Sequence, residues 1–215
     1  MNFYTAIGVW FIFWLLTYAV LYFLRKAHVS YIKNYGFLIL NFLLSTVIAL
    51  SFFKELIMTL LQEFTVFPFI FLLILFIIGV LIYYFSHRYL KKPVGLIENH
   101  PNEFFLLMNY KYLFSKSFDI LFQQTMVIIL TLLLVKNDFE ILEIILFFAL
   151  LFGFVHLFQY IYSGKFFGTF YLLFSILSAA VFPLLIIKIN YGFVYTYILH
   201  WSFYLISGGV FWLLQ

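Results

Sequence analysis

The sequence predicts an all-α, polytopic transmembrane helical bundle of about seven spans. Two observations carry that expectation. The chain is 67% hydrophobic and only 9% charged, with a mean hydropathy of +1.13. Soluble domains carry about 25% charged residues and about half apolar ones. The apolar residues also fall in runs long enough to cross a hydrocarbon core of ~30 Å, separated by short polar breaks. Lipid leaves no backbone group unpaired, so such runs must be helices.

The first span covers residues 4–24, and Arg25, Lys26 and Lys33 follow it. It has no basic leader and is long enough to span, so it is expected to be a true transmembrane helix rather than a removable signal. Span two covers 35–53 and ends at Lys54-Glu55. A largely apolar connector, 56–64, carries Gln62 and Glu63. Span three covers 65–85, with Pro68 near its start, where a missing N–H costs least.

The longest polar stretch, 86–116, holds Arg88, Lys91, Lys92, Lys111 and Lys116. Pro93, Gly95 and Pro101 punctuate its first half. Its second half mixes Phe104, Phe105, Leu106, Leu107, Tyr110 and Tyr112 with lysines. That mixture suits either a helix lying in the membrane interface or a solvated loop. Span four is 118–135, span five 141–162, span six 166–187 with Pro183 near its end, and span seven 193–214. The chain reads as one transmembrane domain: 1–85 form accessory spans and 102–214 a core.

Seven spans place the termini on opposite sides. The loops after spans one, three and five carry three, five and one Lys/Arg; those after spans two, four and six carry one each. The excess of cations marks the cytoplasmic side. The N-terminus is therefore expected outside and the C-terminus in the cytoplasm, in a plasma or inner membrane. The absence of cysteine excludes disulfides, thiolate metal sites and cysteine nucleophiles. The 33 Phe and 17 Tyr are not read as a cofactor box. No cofactor, metal or nucleic-acid partner is expected. The expected partners are the lipid bilayer and a membrane-associated peptide or protein.

Within the spans, hard polar groups concentrate in three helices. Span four has Asp119, Gln123, Gln124 and Thr125; span five has His156 and Gln159; span seven has His200, Ser202 and Tyr204. Glu143 sits at the first turn of span five, on the opposite side, as a solvated helix-start acid. Asp119 opens span four, where it is either a helix cap or a functional acid. Asp119 and Gln123 share a face, as do Phe152 and His156, His156 and Gln159, and His200 and Tyr204. Three such faces can meet in one wet cavity, and two imidazoles with a carboxylate can bind a metal or activate a water.

This order of motifs resembles the CPBP family, the CAAX prenyl protease and bacteriocin-processing intramembrane endopeptidases. In that family two adjacent glutamates precede x-x-x-Arg. Here Phe118 and Asp119 stand in their place, Phe122 keeps the family's Phe, and Gln123 replaces the Arg. The second motif is Phe152-Gly153-Phe154-Val155-His156. The third is His200-Trp201-Ser202-Phe203-Tyr204, with Tyr in place of Asn or Asp. The resemblance covers 102–214. It implies a catalytic set of Asp119, His156, His200, Tyr204 and Gln123. Asp119 and His156 would activate a water, and His200 and Tyr204 would donate to the oxyanion. The implied activity is peptide-bond hydrolysis near the cytoplasmic face. Two other readings stand beside it: the same fold without catalysis, binding a peptide or lipid, and a small proton-linked transporter.

Overall fold

The computed structural model describes residues 2–58, 66–157 and 159–214, with Pro68, Gln159 and Tyr162 defined by their backbone. The expected connector around Gln62 and Glu63 and the side chain of Gln159 lie outside the described residues. Among the described residues the chain is helical without strands. Its helices are α1 (Phe3–Lys26), α2 (Gly36–Phe52), α3 (Lys54–Ile57), α4 (Phe67–Tyr89), α5 (Val94–Asn99), α6 (Tyr110–Lys136), α7 (Ile141–Leu157), α8 (Gln159–Lys188) and α9 (Gly192–Leu213). A 3-10 turn, Phe104–Leu107, precedes α6. Within α8 the helix breaks at Gly164, whose φ of 74° suits a residue without a Cβ.

Four helices are long and apolar enough to cross a membrane: Phe3–Lys26, Phe69–Tyr89, Tyr110–Lys136 and Ser163–Lys188. Gly36–Phe52 and Ile141–Leu157 are apolar but shorter. The outer faces of α1 and α4 expose Leu15, Leu16, Phe23, Phe69, Leu73 and Ile77. Apolar exposure on that scale is a surface for lipid rather than water, so this is a membrane protein.

The bundle is built around α6. It packs on α1, α2, α3, α8 and α9, whereas α7 packs chiefly on α8 and α4 chiefly on α9. Its buried residues include Ile120, Phe122, Met126, Ile129 and Leu130. The Phe122 ring, which is fully buried, lies 6.2 Å from Trp14, 6.3 Å from Tyr18 and 6.2 Å from Phe42. Trp10 Nε1 donates to Met126 O at 2.7 Å, a polar tie between α1 and α6. Lipid tails are as apolar as these rings, so packing and dispersion hold the helices together. Phe122→Ala is therefore expected to cost about 3 kcal/mol through the cavity it leaves. The change would be read as a lower unfolding midpoint in mixed micelles.

Successive long helices alternate in direction. Phe3 meets Phe139, at the start of α1 and the end of α6, while Ser115 Oγ donates to Tyr31 O at 2.9 Å at the opposite end. That second end also gathers His100 against Phe167, and Trp212 Nε1 donating to Leu106 O at 2.7 Å. The segments 27–35 and 90–109 therefore lie at one end of the bundle. Nine of the twelve Lys/Arg residues belong to this end.

Two expectations are corrected here. Helix α6 begins at Tyr110, not Phe118: Asn109 is its N-cap, accepting from Lys111 N at 2.8 Å. Hydropathy marks where an apolar run begins, but the cap marks where the helix begins. Asp119 is consequently not a cap but lies about 13 Å along α6. The 102–116 stretch is also not one helix: Phe104–Leu107 form a 3-10 turn and Tyr110 opens α6. Phe105, Leu106 and Met108 are buried in the bundle core. Glu143, by contrast, does serve its helix start, accepting from Glu140 N at 2.8 Å.

Candidate functional site

Asp119 is 1% exposed and fully engaged. Its Oδ2 accepts from Lys116 Nζ at 2.6 Å and from the Tyr31 hydroxyl at 2.7 Å. Its Oδ1 accepts from Gln123 Nε2 at 2.7 Å and from the Tyr18 hydroxyl at 3.3 Å. Lys116 and Gln123 come from α6 itself, at helical spacings of three and four residues that put them on the same face. Tyr18 comes from α1 and Tyr31 from the segment 27–35, so residues read as accessory complete the site. The Tyr31 ring is held by Ser115 at its backbone and lies under Lys116 Nζ, 5.4 Å from the ring centroid. Burial, reinforced by the Asp119 charge, pushes the Tyr31 phenol above its ordinary range, so it remains a donor to the carboxylate. Tyr31→Phe is expected to lower stability by about 1.5–3 kcal/mol, the range for a hydrogen bond to a charged group. Tyr18→Phe, whose bond is longer, should cost less; paired unfolding curves test the order.

A second polar cluster occupies another face of α6. Gln124 Nε2 and His200 Nδ1 are 2.9 Å apart, and the His200 ring stacks on Tyr204 with centroids 5.8 Å apart. Gln124 is five residues from Asp119 and so turns toward α9 rather than α1. Tyr204 joins the two clusters, because Lys116 Nζ lies 4.7 Å from its ring centroid. The result is a continuous polar seam: Asp119, Lys116, Tyr204, His200, Gln124. The Oε1 atom of Gln124 is buried without a hydrogen-bond donor.

Of the residues expected from sequence, Asp119, Gln123, His200 and Tyr204 therefore belong to one seam. His156 lies within electrostatic range of His200 and Lys116 but makes no hydrogen bond to the seam. Its Nδ1 faces Phe152 O at 2.8 Å, one turn back on α7, and among the described residues no hydrogen bond or ring contact joins it to Asp119 or His200. Lys116, Tyr18 and Tyr31 were not anticipated. Lys116 had a signal in its three-residue spacing to Asp119, masked by its place in a polar stretch. Tyr18 and Tyr31, 101 and 88 residues from Asp119, had none.

The arrangement sets limits on chemistry. A carboxylate has about four lone-pair positions, and Asp119 has four donors around it. A general base needs one position open toward the proton that it takes. Among the described residues no group of three or more His, Asp or Glu side chains could hold a metal. Compared with protein-family models, curated proteins and solved structures, the chain matches none of them.

Proposed function

We propose that this chain is a seven-span membrane protein whose CPBP-like core has become a binding scaffold for a peptide or lipid, with no peptidase activity. The observation that carries this reading is the closed coordination of Asp119. An acid paired with Lys116 and held by close bonds from Tyr31 and Gln123 is kept as a carboxylate with little room beside it for a water. The alternating helix directions support seven crossings. The basic end, with nine of twelve Lys/Arg, supports a cytoplasmic placement of 27–35, 90–109 and the C-terminus. Because the native chain has no cysteine, single cysteines placed at residues 2 and 214 report orientation by labelling from each side.

The decisive experiment incubates the purified, reconstituted chain with membrane peptides and looks for new termini. None is expected. Hydrolysis that disappears in folded Asp119→Asn protein would overturn the reading. A second reading, the active peptidase, rests on the unpartnered Gln124 Oε1 beside His200, where a water could donate. It predicts cleavage that is lost in His200→Ala.

A further inference from the structure

Glu103 is an acid buried without a counter-charge. It is 5% exposed, and the ion pair among the described residues is Lys116–Asp119, so none of their basic nitrogens pairs with the Glu103 carboxylate. Its Oε2 accepts from the Tyr171 hydroxyl of α8, and its Oε1 has no hydrogen bond among the described residues. A hydroxyl satisfies a lone pair but brings no positive charge. Buried carboxylates are ordinarily paired with a cation, because burying a lone charge is costly.

The carboxylate lies at the floor of a polar pocket. The turn 100–103 is closed by Glu103 N donating to His100 O at 3.1 Å, and it faces α8 where that helix breaks at Gly164. The pocket between them holds about 240 Å³. Glu103 and Ser163 are its buried residues, His100 is half-buried, and Asn99, Pro101 and Gly164 are exposed at its rim. It therefore opens outward at the basic end of the bundle. At ~30 Å³ for each water of the liquid, 240 Å³ is room for about eight waters.

Charge and space choose the ligand. One carboxylate balances one positive charge, so a divalent ion would leave a surplus. Among the described residues no group of three His, Asp or Glu side chains could hold a metal. A bare monovalent ion would leave most of the volume to water. A primary ammonium on a short chain meets both demands: it carries one charge, and its three N–H donors suit a carboxylate with an open oxygen.

We infer that the pocket between the 100–103 turn and the α8 break binds a small primary amine in its ammonium form, paired with the Glu103 carboxylate. The site shares no residue with the Asp119 seam and does not depend on the function proposed above. Saturation-transfer difference NMR of the purified full chain in micelles, titrated with ethanolamine, tests it. Ethylene glycol, with a hydroxyl in place of the amine, is the control. A saturable signal is expected for ethanolamine and none for the glycol. Glu103→Gln keeps the shape and an acceptor for Tyr171 while removing the charge. It should weaken ethanolamine binding about tenfold or more, as the loss of a hydrogen bond to a charged group implies. Asn99→Trp, at an exposed rim position, should obstruct the mouth and weaken binding to a similar degree, and it tests the site without altering the buried acid. Absence of saturable ethanolamine binding in the native chain overturns the inference. Equal saturation by the glycol, or undiminished binding in folded Glu103→Gln protein, overturns recognition of the charge. Undiminished binding in Asn99→Trp overturns the location. Displacement of ethanolamine by a tenth as much magnesium would mark a metal site and overturn the ammonium assignment.

Discussion

Asp119→Leu is expected to destabilise the fold by about 3–5 kcal/mol, the range for breaking a buried ion pair by removing one partner. Leucine is bulkier than aspartate, so overpacking at this buried position adds to the cost. The larger loss is electrostatic. Lys116 Nζ, 2.6 Å from the carboxylate, would become a buried cation without its counter-charge. The hydroxyls of Tyr18 and Tyr31 and the amide of Gln123 would lose their acceptor together. Orphaned buried donors cost more than the bonds they made contributed.

The same argument predicts a rescue. Adding Lys116→Met removes the stranded cation, and replacing both members of a buried pair with apolar groups is often close to neutral. The double variant should regain most of the stability lost by Asp119→Leu alone. Unfolding of the wild type, both single variants and the double in mixed micelles completes the thermodynamic cycle. An Asp119→Leu midpoint equal to that of the wild type would show that the pair does not hold α1, α6 and the 27–35 segment together. A double variant no better than the single would show that the tyrosines, not the cation, dominate.

Gly192→Ala is expected to cost about 4 kcal/mol or more, beyond the range of ordinary substitutions. A Cβ at Gly192 would lie 1.8 Å from Leu185 O, 2.3 Å from Leu185 C and 2.8 Å from Ile186 N. These are backbone atoms of α8, so no side chain can swing aside. The turn has little slack: Tyr191 sits at φ 59°, and Gly192 N donates to Ile189 O at 2.9 Å. Relief would require α9 to move away from α8, carrying His200 and Tyr204 with it. Gly8→Ala is the control. Nothing lies within 4 Å of its Cβ position, and alanine favours a helix interior by about 1 kcal/mol. Folded yield by size-exclusion chromatography, then midpoints, should separate the two variants. Equal yields for both would contradict the close packing of α8 and α9 at this turn.

The helical elements were readable because lipid forces a simple rule on sequence. An apolar run with no polar break must satisfy its own backbone, and the helix is how it does so. Residues 4–24 became Phe3–Lys26, and 193–214 became Gly192–Leu213. The rule failed where hydropathy and helix diverge. The first two turns of α6 are polar or mixed, so the apolar run starts eight residues after the helix does. That displacement also explains why Asp119 looked like a membrane-edge cap.

By itself the sequence determined the medium, the helical class, the few polar groups that lipid would force to find partners, and the charge asymmetry of the two ends. Each is a property of composition or of local period. Only the tertiary structure decided what those groups do. It closed Asp119 with tyrosines from distant segments, split Gln124 from Asp119 across two faces of α6, and gave the His156 ring a hydrogen bond within its own helix while leaving it in electrostatic range of His200. Helical spacing tells which residues share a face, but which neighbour that face meets depends on how whole helices pack.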